Sequence, residues 1–220
     1  AYGKLGGKEL GYASDLDLIF LYDDDHPDAP MLYARLAQRF ITWMTRSTSA
    51  GILFDIDIAL RPDGASGLMV SSIDSFERYQ AESAWAWEHQ ALTRARFCAG
   101  DENIGKRFEA LRDRILRQPR DRQWLRQEIL KMREKIHESH PNRSTLFDLK
   151  HDAGGMIDIE FIVQYLVLEY SREYPELTDN FGNIALLKMS EKLNLIPEEA
   201  GEKVSAIYRQ FRKRQHEIRM

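Results

Sequence analysis

The residue pattern predicts an α+β chain in which a small mixed sheet comes first and an α-helical bundle follows. Three observations carry this. Short runs of β-formers, separated by turn signals, are confined to the first 72 residues. From about Ile73 onward, apolar residues recur at helical spacing in segment after segment. Apolar residues make up 43% of the 220 and charged residues 30%, the balance of a globular protein with a core to bury.

The elements follow in order. Residues 1–4 read as the end of a strand entering the glycine turn G-K-L-G-G, and Lys8-Glu9-Leu10 as the opening of a helix. Residues 15–22, D-L-D-L-I-F-L-Y, have a strand's length and composition. Leu32, Leu36, Phe40, Ile41 and Met44 mark a helix over 31–47. The run G-I-L-F-D-I-D-I-A-L-R-P reads as a second strand closed by Arg61-Pro62. A loop over 63–67 and a short strand over 68–71 complete the sheet-forming part. Helical periodicity then marks 73–83, 84–97, 102–117, 120–138, 156–171, 182–193 and 197–219, with Pro197 placed to open the last helix. The division is expected at 98/99.

Composition narrows the function classes. A formal charge of −4 disfavours electrostatic coating of nucleic acid. The charge is uneven: residues 1–72 hold ten Asp/Glu against six Lys/Arg, and 101–136 hold eleven Lys/Arg against seven Asp/Glu. Cys98 is the single cysteine, which excludes an internal disulfide and a cysteine-based zinc cluster and suits a reducing, cytoplasmic setting. No stretch approaches the ~18 apolar residues of a membrane span, and no signal peptide opens the chain. With no initiator Met, and with helical periodicity running to Met220, the chain reads as part of a longer protein.

The chemistry concentrates in carboxylates. Alternate side chains of a strand share a face, roughly 6.5–7 Å apart. Asp15 and Asp17 therefore project together while Leu16 and Leu18 face the core, and Asp55 and Asp57 repeat the pattern on the second strand. Neighbouring strands would gather up to four carboxylates, whose mutual repulsion calls for a cation. Hard oxygen donors of this kind suit Mg²⁺. The competing reading is a pair of solvent-facing D-x-D strands, although aspartate is a poor strand former. Gly6 and Gly7 precede Asp15, and glycines permit close backbone approach to a phosphate; a plain turn is the alternative. The turn is neither a Walker loop nor a dinucleotide-binding turn.

Glycine-glycine, then S-D-L-D-L at a strand opening, then a carboxylate on a later strand resembles the DNA-polymerase-β-like nucleotidyltransferase superfamily. More specifically, A-Y-G-K-L-G-G-K-E-L-G-Y-A-S-D-L-D-L-I-F-L-Y resembles the glutamine synthetase adenylyltransferase family, as do D-I-D-I-A-L-R-P-D-G-A-S-G-L-M-V-S-S, W-A-W-E-H-Q-A-L-T-R-A-R and F-D-L-K-H-D-A-G-G-M-I-D-I-E-F-I-V-Q-Y-L. These stretches run in order along most of the chain. The resemblance implies a polymerase-β-like catalytic domain over 1–98 and a helical bundle over 99–220. It implies Mg²⁺ and ATP, with glutamine synthetase and the PII signalling protein as partners; the acidic balance and the lack of a long apolar segment lead us to expect no nucleic acid and no membrane among them. Such enzymes have two homologous halves, one attaching AMP to a tyrosine and the other removing it by phosphorolysis. G-Y-A-S-D-L-D and W-E-H-Q-A-L-T-R-A-R resemble the attaching half.

By the same resemblance Asp15, Asp17 and Asp57 are the metal-binding carboxylates. Asp57 is also placed to take the proton of the attacking hydroxyl. Gly6, Gly7, Ser14, Lys8 and Arg61 are candidates for the nucleotide phosphates, with Lys4 also flanking the turn. For Arg61, bidentate phosphate binding stands beside an ordering ion pair with a site carboxylate. Tyr79, Trp85 and Trp87 read as core, with adenine stacking as the alternative. Glu88, Arg94 and Arg96 read as a structural polar network, and Asp158 and Glu160 as structural residues opening a buried helix over 161–168. His137 and His140, three apart, lack the further ligands of a metal site, and the acidic run over 23–28 lacks the glycine and glutamate of a calcium loop. A non-catalytic scaffold for the same partners is the remaining alternative.

Overall fold

The computed structural model describes residues 1–11, 14–49, 51, 54–179 and 182–219. These residues are mostly helical and carry two small parallel sheets, an α+β arrangement. Two compact units divide the chain, Ala1–Ile115 and Leu116–Met220.

The first unit opens on a single helical turn, α1 (Gly3–Gly6), where the sequence predicts a strand end. Tyr2, 2% exposed, precedes it as its N-cap residue and fixes the chain by donating its N–H to the Asp17 carbonyl at 2.8 Å. No helix opens at Lys8: that residue takes a left-handed φ of 57°, which breaks the helical path the sequence predicts there.

The predicted strand over 15–22 is present as two strands, β1 (Leu16–Asp17) and β2 (Phe20–Tyr22). The reason is a change of partner. β1 pairs in parallel with β3 (Ile56–Asp57), matching Leu16 to Ile56 and Asp17 to Asp57. β2 pairs in parallel with β4 (Val70–Ser72), matching Phe20 to Val70 and Tyr22 to Ser72. Between the partners the chain turns away after Asp57. The Asp57 carboxylate accepts the Ala59 N–H at 2.7 Å, and a 3-10 turn over Gly64–Ser66 carries the chain back to β4. Ile52 and Leu53, expected in the second strand, lie outside the described residues.

Parallel strands need a long crossover, and α2 (Ala29–Met44) supplies it between β1 and β3. Its buried side is made of Ala29 and Ala37. Most of the apolar stripe that predicts the helix is instead turned outward: Leu32 is 50% exposed, Leu36 59% and Phe40 38%, with Ile41 and Met44 half-buried. Phe20 against Phe40, edge to face at 5.7 Å, and Tyr22 stacked on Tyr33 at 4.9 Å tie this helix to β2.

Three helices complete the unit: α3 (Ile73–Glu82), capped by the Ser72 hydroxyl, α4 (Ala86–Leu92) and α5 (Glu102–Leu116). Leu16, Leu18, Val70, Ile73, Phe76, Leu92, Phe108 and Leu111 form its core. α4 stops at Leu92, five residues short of the predicted end, and the segment after it turns back to pair with residue 1. All of α5 but its last residue falls within this unit, whereas the sequence places it with the helices that follow.

The second unit contains α6 (Arg122–Ser139), α7 (Met156–Tyr170), α8 (Asn183–Lys192) and α9 (Ala200–Arg219). The Asp121 carboxylate caps α6 by accepting the Trp124 N–H at 2.7 Å. α7 is the predicted central helix, with Ile159, Val163, Leu166, Val167 and Leu168 buried and Ile162 on its outer side. Asp158 pairs with Arg133 and accepts the Gly154 N–H, closing the loop before α7. Glu160 accepts the hydroxyl of Tyr208, which in turn accepts from Asn183, linking α7, α8 and α9 through one buried cluster. Both acidic residues thus do structural work, as their place at a helix start predicts. α9 begins at Ala200, not at Pro197; Pro197 accepts the Ala200 N–H in the turn before it.

Candidate active site

Parallel pairing of β1 with β3 sets Asp17 beside Asp57, and alternation along β1 sets Asp15 on the same side as Asp17. The outcome is a group of three carboxylates, Asp15, Asp17 and Asp57, whose oxygens lie within 4.8 Å of one another. Asp15 and Asp57 are exposed and Asp17 is half-buried. Asp55, two residues before Asp57, stands outside the group.

The electrostatics record the crowding. The Asp17 carboxyl is pushed up to about 6, first by burial and then by the charges of Asp15 and Asp57, against the opposing pull of Arg94 and Lys4. A cation among three acidic side chains this close would relieve their mutual repulsion. The donor set fits Mg²⁺: all hard oxygens, few in number, and open on the exposed side to water or phosphate.

The glycine turn lies directly against this group. Gly3, at φ 53°, sits so close to Asp17 that a Cβ there would collide with the carboxylate. Gly6 and Gly7 are buried. What presses on them is Arg94: a Cβ on Gly6 would strike its carbonyl oxygen, and one on Gly7 would stand 2.9 Å from its Nε. The N–H groups of the turn already donate within it, Gly6 to Tyr2, Gly7 to Gly3, Lys8 to Leu5 and Glu9 to Lys4. Lys8 is exposed. Ser14 is 4% exposed and its hydroxyl accepts the Gly11 N–H at 3.2 Å, shaping the entry to β1. The Arg61 guanidinium donates to the carbonyls of Ile58 at 2.7 Å and Gly67 at 3.3 Å, clamping the loop between β3 and β4.

The polar network around α4 is as the sequence predicts, with one correction. Glu88 accepts from the Tyr79 hydroxyl at 3.1 Å and from the Trp85 N–H at 2.9 Å, and burial raises its carboxyl. Trp85 itself is 65% exposed, and Tyr79 and Trp87 are only half-buried, so these aromatics are not the buried core the sequence predicts; the Trp85 N–H donates to Glu88 and its carbonyl accepts the N–H groups of Glu88 and His89. Sequence reasoning missed Gly3 and Glu9. Gly3 stands in the G-K-L-G-G run and was legible as a third glycine. The pairing of Glu9 with Arg94, 85 positions away, had no local signal.

Comparison with known proteins places the chain in a family. Residues 1–111 match the family model described as glutamate-ammonia ligase adenylyltransferase, and residues 130–220 match that described as GlnD PII-uridylyltransferase. Among curated relatives, the bifunctional glutamine synthetase adenylyltransferase/adenylyl-removing enzyme of Aromatoleum aromaticum is 59% identical over 220 residues, covering 100% of this chain and 24% of the relative. Its counterpart from Nitrosomonas eutropha is 57% identical over 219 residues, with the same coverage. That from Ralstonia nicotianae is 61% identical over 224 residues, again over 24% of its length. The chain therefore spans about a quarter of the length of these relatives. Matched across the strands that bear the three carboxylates and the glycine turn beside them, the chain belongs to the glutamate-ammonia ligase adenylyltransferase family, a family of nucleotidyltransferase enzymes.

Proposed function

We propose that this chain is the adenylylating domain of its parent enzyme, transferring AMP from ATP to a tyrosine hydroxyl of glutamine synthetase. The carrying observation is the convergence of Asp15, Asp17 and Asp57 from two parallel strands. Such a group suits phosphoryl chemistry, and the relatives' names supply the protein acceptor. The fold of this reading is polymerase-β-like, with the catalytic domain in 1–98 and the helical part in 99–220.

Asp15, Asp17 and Asp57 would hold Mg²⁺. When bound, the ion supplies charge neutralisation at the α-phosphate and the departing pyrophosphate. The chain's own residues do the rest. Asp57, its carboxylate oriented by the Ala59 N–H, accepts the proton of the tyrosine hydroxyl as the oxygen attacks the α-phosphorus and pyrophosphate leaves. Lys8, exposed on the glycine turn, offers a positive charge to the phosphates. Gly6, Gly7 and Ser14 set the shape of the turn and the strand entry, and Arg61 holds the adjoining loop. Partnership with the PII signalling protein is supported by the match of residues 130–220 to the PII-uridylyltransferase family.

The test uses two parallel incubations. One contains the chain, Mg²⁺, α-labelled ATP and unmodified glutamine synthetase; the other contains phosphate and the AMP-modified protein. Label transfer that disappears in Asp17→Asn and Asp57→Asn supports the reading. ADP formed only in the second incubation assigns the chain to the removing half. Turnover in neither assigns it a scaffold role.

A further inference from the structure

Arg94 lies at the end of α4, far from the carboxylates in sequence, yet it is joined to them by contact through one small element. Its guanidinium and that of Arg96 hold the first nine residues from below. Arg94 Nη2 donates to Glu9 Oε2 at 2.8 Å, with the two side chains only 9% and 10% exposed. Arg96 Nη2 donates to the Leu5 carbonyl at 3.2 Å, and the backbones of Arg96 and Ala1 exchange hydrogen bonds at 2.9 Å in both directions.

The single turn α1 spans the gap between this support and the site. At one end Gly7 rests on Arg94 Nε; at the other, Gly3 rests on the Asp17 carboxylate; and Gly7 N donates to Gly3 O at 2.9 Å between them. Glycine stands at each point of contact because a side chain would not fit there. Because Gly3 and Gly7 are joined by that hydrogen bond and each is packed with no room for a Cβ, a displacement at Arg94 reaches Asp17 through the turn.

From this we infer that Arg94, paired with Glu9, is a positioning residue for the metal-binding carboxylates, acting on Asp17 through the turn Gly3–Gly6. The inference rests on the nucleotidyl-transfer reading and deepens it by naming what holds the site in register. It also accounts for Gly7, whose lack of a side chain leaves room for the Arg94 guanidinium, whereas Gly6 makes room for the backbone carbonyls of Arg94 and Ala1.

Removing both charges together avoids stranding one of them in the interior, so the informative variant is the double Arg94→Met/Glu9→Gln in the 220-residue chain. Three quantities are measured on it and on the wild type: unfolding midpoint, amide exchange of residues 6–9, and the Kd for Mn²⁺ alone by electron paramagnetic resonance. The expected result is a midpoint close to wild type, faster exchange in the turn, and Mn²⁺ binding weakened about tenfold, the usual cost of losing a supporting residue behind a metal site. If the double variant binds Mn²⁺ as the wild type does, or its turn exchanges no faster, the inference is overturned while the functional reading stands. A double variant that does not fold is replaced by Arg94→Lys with Glu9 retained, which keeps the charge but cannot fill the space under Gly7, and the same two results decide. A wild-type chain that binds no Mn²⁺ overturns the functional reading, and this inference with it.

Discussion

Asp17 is expected to cost the metal-free protein stability, and Asp17→Asn to recover it. The carboxyl is raised from 3.8 to about 6 by burial and by Asp15 and Asp57. Between those values the folded protein holds a proton that the unfolded chain has released, so stability falls as pH rises through this window and the full cost is present above about 6. At about 1.4 kcal/mol for each pH unit the cost is about 3 kcal/mol, and solvent screening of this half-buried group reduces it to about 2 kcal/mol. Asparagine keeps the shape and removes the charge. In EDTA at about pH 7.5, urea unfolding should therefore show the variant more stable by about 2 kcal/mol, with the difference shrinking toward zero near pH 4. Saturating Mg²⁺ should reverse the order, because a ligand at about a hundred times its Kd stabilises the wild type by about 2.7 kcal/mol. A variant less stable than wild type in EDTA, or an advantage that does not fade with acid, would refute the reasoning.

Other outcomes follow from particular contacts. Gly3→Ala drives a methyl group into the Asp17 carboxylate at a left-handed φ, and should weaken Mn²⁺ binding about tenfold or more in a titration while leaving the second unit's unfolding unchanged. Tyr208→Phe removes the hydroxyl that joins Glu160 to Asn183 and should cost about 1–3 kcal/mol in urea unfolding. Phe76→Ala empties a site that is 0% exposed and should cost about 3–5 kcal/mol, read from the same measurement. Asp121→Ala removes the α6 cap and should cost about 1 kcal/mol; no loss would mean that the Trp124 N–H is satisfied by water equally well.

Much of the site was legible as local spacing. Asp15 and Asp17 share a face because strands alternate, and the choice of Asp57 over Asp55 came from resemblance and agrees with the geometry. The helices over 73–82, 102–116, 122–139 and 156–170 were legible for the same kind of reason: each carries its apolar period and its turn signals within itself. Where reading failed, a partner distant in sequence decided the local structure. The strand over 15–22 divides because its pairing passes from β3 to β4. A helical turn replaces the predicted strand end because Arg96 and Asp17 hold Ala1 and Tyr2 in place just ahead of it, so that the chain turns at Gly3.

What the sequence determined by itself was the chemistry on offer: three aspartates at strand spacing, glycines ahead of them, and a family's motifs in order. Spacing of 2 or 3.6 residues is a property of the backbone alone, so it can be read without knowing the neighbours. The tertiary structure alone decided that Asp17 meets Asp57 in register. It also decided that Gly3 touches the carboxylate and that Gly6 and Gly7 lie on Arg94, nearly ninety residues away. Those contacts depend on close packing between distant segments, where a single methyl group is the difference between a fit and a collision.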